Sequence, residues 1–419
     1  MNKFYLGALG CLMAMGVYAH DFEVNGIYYR ITSSPENPTV SVTYKGDSYI
    51  SYSDEYYGVV TIPSTVTYNN DTYNVTSIGF CAFADCSDLT SVTIPEGVTR
   101  IVDQAFWDCP NLASINVPSS VTSIGYMAFS NTAWYGSQPN GIIYAGKVLY
   151  EYKGTMPENT IIEVKEGTTG IAGGAFWGCS GLRYITIPNS VTNIGDCAFT
   201  ECPNLTSIIL PESVTSIGEM AFDDCYNLVS ITLPENVTDI GCDAFARTAW
   251  YDNNYDFEGT VYIGKVLYEY KGEMPENTSI EVKEGTKSIT SYAFYECTNL
   301  ISVILPESVT SIGEAAFSDC CGLASITCCA TVPPSCDTWA FDCVESSIPI
   351  YVPANSISDY QDAKEWRNFT NFIGVESGID NAQLTFKELR KNYDLNGCRI
   401  EPSMKGIYII DCKKVMIKN

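Results

Sequence analysis

The segment SVTSIGEMAFDDCYNLVSITLPE, residues Ser213–Glu235, is the best guide to the fold, because near copies of it recur along the chain. The recurrence is measured most simply between the phenylalanines of the repeated Ala-Phe pair. Their successive spacings are 23, 23, 47, 23, 23, 23, 49, 23 and 24 residues. A period of this size is typical of proteins whose repeats stack in one dimension. The phenylalanines are Phe83, Phe106, Phe129, Phe176, Phe199, Phe222, Phe245, Phe294, Phe317 and Phe341.

Within one repeat, the apolar residues change from a helical to a strand spacing. Phe199, Cys202 and Leu205 lie three residues apart, which is typical of one face of a short helix or 3-10 turn. Ile208 and Leu210 lie two apart, as on one face of a strand. The repeat therefore predicts a β-rich solenoid of short strands and short helical or 3-10 turns, with a β cap covering each end.

Two further columns of the repeat are predicted to be structural. A cysteine recurs three residues after most of the phenylalanines, where a free, reduced thiol packs as a small hydrophobe. The residue before the leucine is Asn, Asp or Gly, and these types tolerate a positive φ, so we expect a left-handed cap there. The cysteines are Cys86, Cys109, Cys179, Cys202, Cys225, Cys297 and Cys320, and the residues before the leucines are Asp88, Asn111, Gly181, Asn204, Asn227, Asn299 and Gly322.

The two long spacings mark inserts that are near copies of one another. Lys147–Thr168 and Lys265–Thr286 differ only at two positions. Each insert adds about one period, so the sequence predicts an extra coil within about residues 132–165 and again within about residues 248–283.

The inserts are rich in aromatic residues, which gives the best candidates for ligand contacts. Trp134 and Trp250 are expected to fill the space left by the missing cysteine and leucine of the regular repeat. Exposed tyrosines dominate protein interfaces and form platforms that stack on sugars, whereas buried ones only pack the core. The candidate contact residues are Tyr135, Tyr144, Tyr150, Tyr152, Tyr251, Tyr262, Tyr268 and Tyr270.

Charge and histidine content exclude several classes of function. The 419 residues include 23 Lys and Arg against 49 Asp and Glu, a formal net charge of −26, and a single histidine, His20. A surface of this sign repels phosphates, so nucleic acid is not predicted as a partner. A Ser-His-Asp or Cys-His catalytic site would need an imidazole away from a processed N-terminus, and zinc or iron sites usually need two or more imidazoles. We therefore predict no enzyme activity, no catalytic residues, no metal ligands and no cofactor.

Acidic side chains fall into columns, which are interpreted either as solvated edges or as a track that steers a basic partner. Asp252–Glu258 weakly resembles a calcium loop but lacks the turn glycine and the last glutamate, so calcium binding is not predicted. One column holds Asp85, Asp108, Glu201, Asp224, Glu296 and Asp319, and the other holds Glu96, Glu212, Glu235 and Glu307.

The outward strand positions form a further candidate surface. They are mostly small β-compatible residues, as at Ser207 and Ile209 in one coil and Ser302 and Ile304 in another. Such a row predicts a flat sheet face, which serves either as plain solvent-exposed surface or as a hydroxyl-rich binding face.

The N-terminus predicts export. Residues 1–19 have a short positive region at Lys3, an apolar stretch and a small-residue site that favours cleavage after Ala19. Lipidation at Cys11 is the alternative. The apolar stretch is shorter than the ~20 residues that span a bilayer, so a transmembrane protein is not predicted.

The repeat, with its TAWY and GKVLYEYKG inserts, closely resembles the BspA-like leucine-rich-repeat family of surface proteins over roughly residues 22–375. The resemblance implies a right-handed solenoid on a bacterial surface that binds host or neighbouring-cell macromolecules. Asn392–Lys418 resembles the short C-terminal sorting domains of secreted Bacteroidetes proteins but departs at Cys398 and Cys412, which are candidates for a disulfide in an oxidising compartment. The predicted organisation is a signal peptide (1–19), an N-terminal β cap (20–75), the solenoid (76–343), a C-terminal cap (344–378) and a sorting-like β tail (379–419).

The predicted function is therefore that of a secreted or surface-attached scaffold that binds an extracellular protein of a host or a microbe without catalysing a reaction. Two alternatives stay open. A glycan-binding module would use the insert aromatics as stacking platforms, and a structural spacer would have no saturable ligand.

Overall fold

The structure is a computed structural model. It describes residues 20–32, 38–46, 48, 54–255, 257–375, 407–410 and 413–416. The chain divides into two compact units, one of Met1–Asn236 with Asp243–Asn254 and one of Val237–Cys242 with Tyr255–Asn419. Each unit is a β-solenoid with the 23-residue period, so the predicted fold class is confirmed. The signal peptide, its cleavage site after Ala19, and Cys398 and Cys412 lie outside the described residues.

In the first unit, parallel ladders of short strands follow an antiparallel N-terminal region. The strands pair in the orders β1-β2-β3-β6-β8-β10, with β5 on β6, then β4-β7-β9, β11-β12-β14-β16-β18, β13-β15 and β17-β19. The strands are β1 Phe22–Val24, β2 Ile27–Ile31, β3 Thr39–Thr43, β4 Gly58–Thr61, β5 Thr65–Tyr68, β6 Asp71–Ile78, β7 Leu89–Thr93, β8 Arg100–Ile101, β9 Ser114–Asn116, β10 Ser123–Ile124, β11 Gly141–Ala145, β12 Val148–Lys153, β13 Thr160–Glu163, β14 Gly170–Ile171, β15 Leu182–Thr186, β16 Asn193–Ile194, β17 Ser207–Ile209, β18 Ser216–Ile217 and β19 Ser230–Thr232, and the helices are α1 Ala133–Ser137 and α2 Ala249–Asn254.

In the second unit, the orders are β21-β22-β24-β26-β28 and β23-β25-β27-β29-β30, with β31 and β32 as an antiparallel pair. The elements are β20 Asp239–Ile240, β21 Gly259–Ile263, β22 Val266–Lys271, β23 Thr278–Glu281, β24 Ser288–Ile289, β25 Leu300–Leu305, β26 Ser311–Ile312, β27 Ser325–Cys328, β28 Ser335–Cys336, β29 Pro349–Pro353, β30 Asn371–Val375, β31 Ile407–Ile410 and β32 Lys413–Met416, with helix α3 Ile357–Asp362 and 3-10 turns Ala354–Ser356 and Trp366–Asn368.

The interior of each unit is a stack of the repeated phenylalanines. Phe176, Phe199 and Phe222 have no exposed surface, and their rings are nearly parallel. The ring centres are 5.2 Å apart between Phe176 and Phe199 and 5.1 Å apart between Phe199 and Phe222. Aromatic side chains from the flanking regions cover the ends of the stacks. The centre of the Tyr56 ring lies 4.3 Å from that of Phe83, the first repeat phenylalanine. The centre of the Trp366 ring lies 4.9 Å from that of Phe341, the last one. Each unit therefore closes one end of its apolar column with a ring that lies outside the repeat.

The segment around each phenylalanine is a series of turns because left-handed residues lie on both sides of it. Cys197 and Glu201, two residues before and after Phe199, have φ of 54° and 57°. The Phe199 N–H between them donates to the Ala221 carbonyl of the next coil at 2.8 Å. The predicted left-handed cap before the leucine is therefore wrong, because the left-handed positions flank the phenylalanine instead.

The column before the leucine has a different physical role. The Asn204 side-chain amide donates to the Ser180 carbonyl of the preceding coil at 2.7 Å, and Asn111 bonds to Ser87 in the same way. Where glycine replaces asparagine, the backbones lie too close for a side chain. A Cβ on Gly181 would collide with the Pro157 carbonyl oxygen.

The cysteine column consists of free thiols, as predicted, with Cys297 half-buried and the other six buried. The thiols also make a bond that the sequence did not predict. Cys202 Sγ donates to the Phe176 carbonyl at 3.1 Å, and Cys225 Sγ donates to the Phe199 carbonyl at 3.0 Å. Burial raises the pKa of Cys179 to about 12, which keeps that thiol protonated and unreactive at neutral pH.

Candidate interaction surfaces

The first insert departs from the repeat directly after Phe129. Thr132 stands at the position of the regular cysteine, and its hydroxyl donates to the Phe129 carbonyl at 2.8 Å. The same hydroxyl accepts the Tyr135 N–H at 3.0 Å, which caps helix α1. Trp134 packs edge-on against Phe129 at 5.1 Å. This contact agrees with the expectation that the tryptophan fills the space left by the missing apolar residues.

Tyr150 supplies both a ring and a hydrogen-bond acceptor to Phe129. Its ring is buried 5.2 Å from Phe129, and its hydroxyl accepts the Phe129 N–H at 3.0 Å. Two residues later, the Tyr152 N–H donates to the Ala175 carbonyl at 2.8 Å, which is the bond that regular phenylalanines make. The insert is therefore an ordered coil that packs a ring against Phe129 and continues the hydrogen-bond ladder.

A polar cluster ties the helix of this insert to its hairpin. The Tyr135 hydroxyl donates to Glu151 Oε1 at 2.8 Å. Lys153 Nζ lies 4.6 Å from the centre of the Tyr135 ring and donates to the carbonyls of Tyr135 and Gln138, each at 2.8 Å. Burial raises the pKa of the Glu151 carboxyl. These bonds hold the Tyr135 ring in one orientation.

The hairpins of the two inserts carry a matching tyrosine. The Tyr144 hydroxyl accepts the Lys165 N–H at 3.0 Å in the first unit, and the Tyr262 hydroxyl accepts the Lys283 N–H at 3.0 Å in the second. Both side chains are half-buried. Each tyrosine therefore fastens its hairpin to the chain that follows, while part of its ring faces solvent.

The second insert begins with helix α2. Trp250 packs edge-on against Phe245 at 5.0 Å, and the Tyr251 N–H donates to Thr248 Oγ1 at 3.1 Å. Asp252 and the two following asparagines belong to the helix, so this stretch is not an open loop. Among the residues that the structure describes, no three His, Cys, Asp or Glu side chains are grouped as metal ligands.

The eight candidate tyrosines differ in exposure. Tyr150, Tyr251 and Tyr268 are buried, with 2%, 6% and 4% of their surface exposed. The other five are half-buried, so the exposed part of each side chain can contact a partner. They are Tyr135, Tyr144, Tyr152, Tyr262 and Tyr270.

An aromatic pair that the sequence did not reveal lies beside the first insert. The Tyr126 and Trp177 rings lie 5.1 Å apart, and Trp177 is 42% exposed. Gly174 leaves room for the Tyr126 ring, because a Cβ at this glycine would be 2.5 Å from the ring. The two residues are far apart in the chain, so no local pattern could have paired them.

The outward strand face of the first unit is open. Ile209 is 59% exposed, and its ladder neighbour Thr232 is also exposed. The edges near this face are acidic, with Glu212 and Glu235 exposed. This unit therefore presents a flat, largely uncharged strip beside carboxylates.

The first acidic column is partly buried and has one basic interruption. Its aspartates are half-buried, and burial together with the neighbouring Asp108 raises the pKa of Asp85. Where the column reaches the second insert, Arg247 replaces the acid. Its Nη2 lies 2.6 Å from Asp223 Oδ2 and 2.8 Å from Asp224 Oδ2. The positive charge of Arg247 therefore offsets part of the negative charge of the column beside Asp224.

In the part of the chain that the structure describes, no helix has the length and apolar character needed to cross a bilayer.

Comparison with known proteins supports the repeat assignment. A family model described as the BspA type leucine rich repeat region matches in six copies, over residues 59–136, 150–271 and 262–364. No curated protein matches the chain.

Several solved structures are similar to the chain. A leucine-rich repeat protein from Bacteroides ovatus is 25% identical, with 85% of this chain and 100% of that chain covered and a TM-score of 0.29. A leucine rich cell surface protein from Faecalibacterium prausnitzii is 23% identical, with 85% and 95% covered and a TM-score of 0.24. The pneumococcal vaccine antigen PcpA is 17% identical, with 86% and 100% covered and a TM-score of 0.28.

Because the repeat model covers most of the chain and the described coils keep its 23-residue register, the chain belongs to the BspA type leucine-rich-repeat family.

Proposed function

We propose that this protein is an exported, surface-displayed scaffold that binds an extracellular protein of a host or a microbe and has no enzymatic role. The observation that carries the proposal is the combination of an open strand face with ordered, half-buried insert tyrosines on a repeat scaffold. Leucine-rich-repeat solenoids offer extended surfaces for macromolecular partners. The half-buried tyrosines add amphipathic rings, which are enriched at protein interfaces.

The charge of the chain supports a partner with basic residues. With a net charge of −26 and exposed carboxylates such as Glu212 and Glu235 beside the open face, approach of a cationic partner is accelerated at low ionic strength. Affinity would then come from many weak contacts along the coils, and the association rate would fall as salt is added.

A binding screen with a matched pair of variants tests the proposal. The mature protein is immobilised and exposed to matrix proteins, mucins, a glycan array and bacterial surface extract, at low and at high salt. We expect saturable binding to a protein. Binding should weaken at least tenfold when Tyr152 and Tyr270, which are half-buried in the two inserts, are both replaced by serine.

The control replaces Tyr57, which is 75% exposed outside the inserts, by serine and should leave binding unchanged. Saturable binding to a glycan alone would identify a glycan-binding module instead. No saturable ligand in any of the four panels would favour the structural spacer, and equal effects of both variants would exclude the inserts as the contact site.

A further inference from the structure

The outward face of the second unit differs from that of the first. Strands β23, β25, β27, β29 and β30 pair side by side, and their outward residues form one row in register. We call these residues the outward row. They are Glu281, Ile304, Thr327, Tyr351 and Ile373.

One residue of this row, Ile304, is buried, whereas its counterpart in the first unit is exposed; Glu281 is exposed, and the other three residues of the row are half-buried. Ile304 is 8% exposed, and Ser302, two residues before it, is 4% exposed. Ile209 holds the equivalent position in the first unit, also has a threonine as a ladder neighbour, and is 59% exposed. Pairing within the sheet does not by itself bury an isoleucine at this position, although Ile304 has paired strands on both sides and Ile209 on one, and the low exposure of Ile304 points to a further segment over it.

A cysteine next to the row points to the covering segment. Cys329 follows directly after the last residue of β27, two residues beyond Thr327, and its N–H donates to the Leu305 carbonyl of the neighbouring strand at 2.9 Å. Cys329 is disulfide-bonded, and the fourteen other cysteines among the described residues are free. The sequence contains 18 cysteines, so the remaining partners are Cys11, Cys398 and Cys412. Cys11 lies in the segment that we predict to be removed on export.

The chain beyond the row is long enough to cover it and differs from the rest in charge. β30 ends at Val375, at the edge of this sheet, and 44 residues follow. Residues 376–419 carry eight Lys and Arg against six Asp and Glu, whereas residues 1–375 carry 15 against 43. A segment of opposite net charge that starts at the sheet edge is therefore suited to lie on this unit.

We propose that the C-terminal segment, residues 376–419, docks on the outward row of the second unit and is fastened there by a disulfide between Cys329 and either Cys398 or Cys412. In forming the bond, the two thiols lose two protons and two electrons to a protein disulfide of the export compartment, which becomes a dithiol. The docked segment would leave only the first unit's strand face open to a partner.

Disulfide mapping of the mature, full-length protein tests the covalent part. The protein is alkylated without reduction, digested and analysed by mass spectrometry. We expect the peptide of Cys329 joined to a peptide from residues 376–419, and of the variants Cys398→Ser and Cys412→Ser only one should release Cys329 as a free thiol. A Cys398–Cys412 bond with Cys329 alkylated, or a bond from Cys329 to a cysteine outside residues 376–419, would overturn the proposal.

A second experiment tests the docking itself by a matched pair of charge variants. Ile304→Asp and Ile209→Asp place the same charge at equivalent strand positions. Under reducing conditions, we expect Ile304→Asp to speed amide exchange of residues 407–416 and proteolysis after Val375 at least fivefold, while Ile209→Asp changes neither. Equal rates in both variants and in the unchanged protein would contradict docking on the outward row, even if the disulfide were found.

Discussion

Phe176 in a regular coil and Phe129 before the first insert are both buried, and both donate their N–H, but to different acceptors. Phe176 bonds to the Ala198 carbonyl at 2.8 Å and stacks on Phe199. Phe129 bonds to the Tyr150 hydroxyl at 3.0 Å and packs against the same ring. A coil must therefore supply one acceptor and one ring to its neighbour, and in the insert a single side chain supplies both.

The largest expected effect comes from removing a ring from the regular stack. Phe199→Ala leaves a cavity between two phenylalanines and should lower the free energy of unfolding by about 3–5 kcal/mol. Chemical denaturation measures the change. Val229→Ala, at a residue that is 58% exposed, is the control and should cost less than ~1 kcal/mol. A loss below 1 kcal/mol for Phe199→Ala would contradict a continuous core.

Removing the insert's acceptor should have a smaller effect. Tyr150→Phe keeps the ring but leaves the buried Phe129 N–H without its acceptor, at a cost of about 1–3 kcal/mol. Tyr152→Phe is the control, because the ladder bond of Tyr152 is made by its backbone N–H and survives the change. Equal stabilities of the two variants would mean that the Tyr150 hydroxyl is not needed as the acceptor.

A carboxyl near the first insert gives a pH-dependent test of coil contacts. Burial, with Asp196 nearby, raises the pKa of Asp103 to about 6, although its oxygen accepts the Tyr126 N–H. The folded state therefore holds this proton more tightly than the unfolded state, and its contribution to stability is lost as the pH rises from about 4 to about 6.

Asp103→Asn should remove the decrease in stability that deprotonation of this carboxyl causes as the pH rises. We expect the variant to gain about 1–2 kcal/mol at pH 7, less than the ~3 kcal/mol that two pKa units represent, because the carboxyl is half-buried. Melting temperatures between pH 4 and 7 measure the effect. A variant that is as pH-dependent as the unchanged protein would show that other carboxyls dominate this range.

The smallest expected effect distinguishes an asparagine that bonds to the preceding coil, such as Asn204, from an asparagine with a left-handed backbone, such as Asn131. Asn204→Gly removes the amide bond to Ser180 and should cost about 1 kcal/mol. Asn131→Gly, at a φ of 58° just before the first insert, should be neutral or slightly stabilising, because glycine adopts this conformation without strain. A stabilising Asn204→Gly would restore the left-handed interpretation of that column.

Most of the core could be predicted from the sequence because it depends on local spacing. The positions of Phe199, Cys202 and Ile208 follow from apolar residues three and two apart, and all three are buried. The candidate site was less predictable. Composition placed tyrosines in the inserts, but it did not distinguish the buried Tyr150 from the half-buried Tyr152 two residues away, because both belong to one aromatic run.

The period, the inward columns and the near identity of the two inserts follow from the order of residues alone, since each depends on residues that are neighbours or exact repeats. The folded coils were needed to find which residues are left-handed, why asparagine precedes leucine, and that Tyr126 contacts Trp177. These features depend on hydrogen bonds and contacts between coils. Their partners are 22 or more residues apart in the chain, so the local pattern around each residue does not contain the atoms that determine its role.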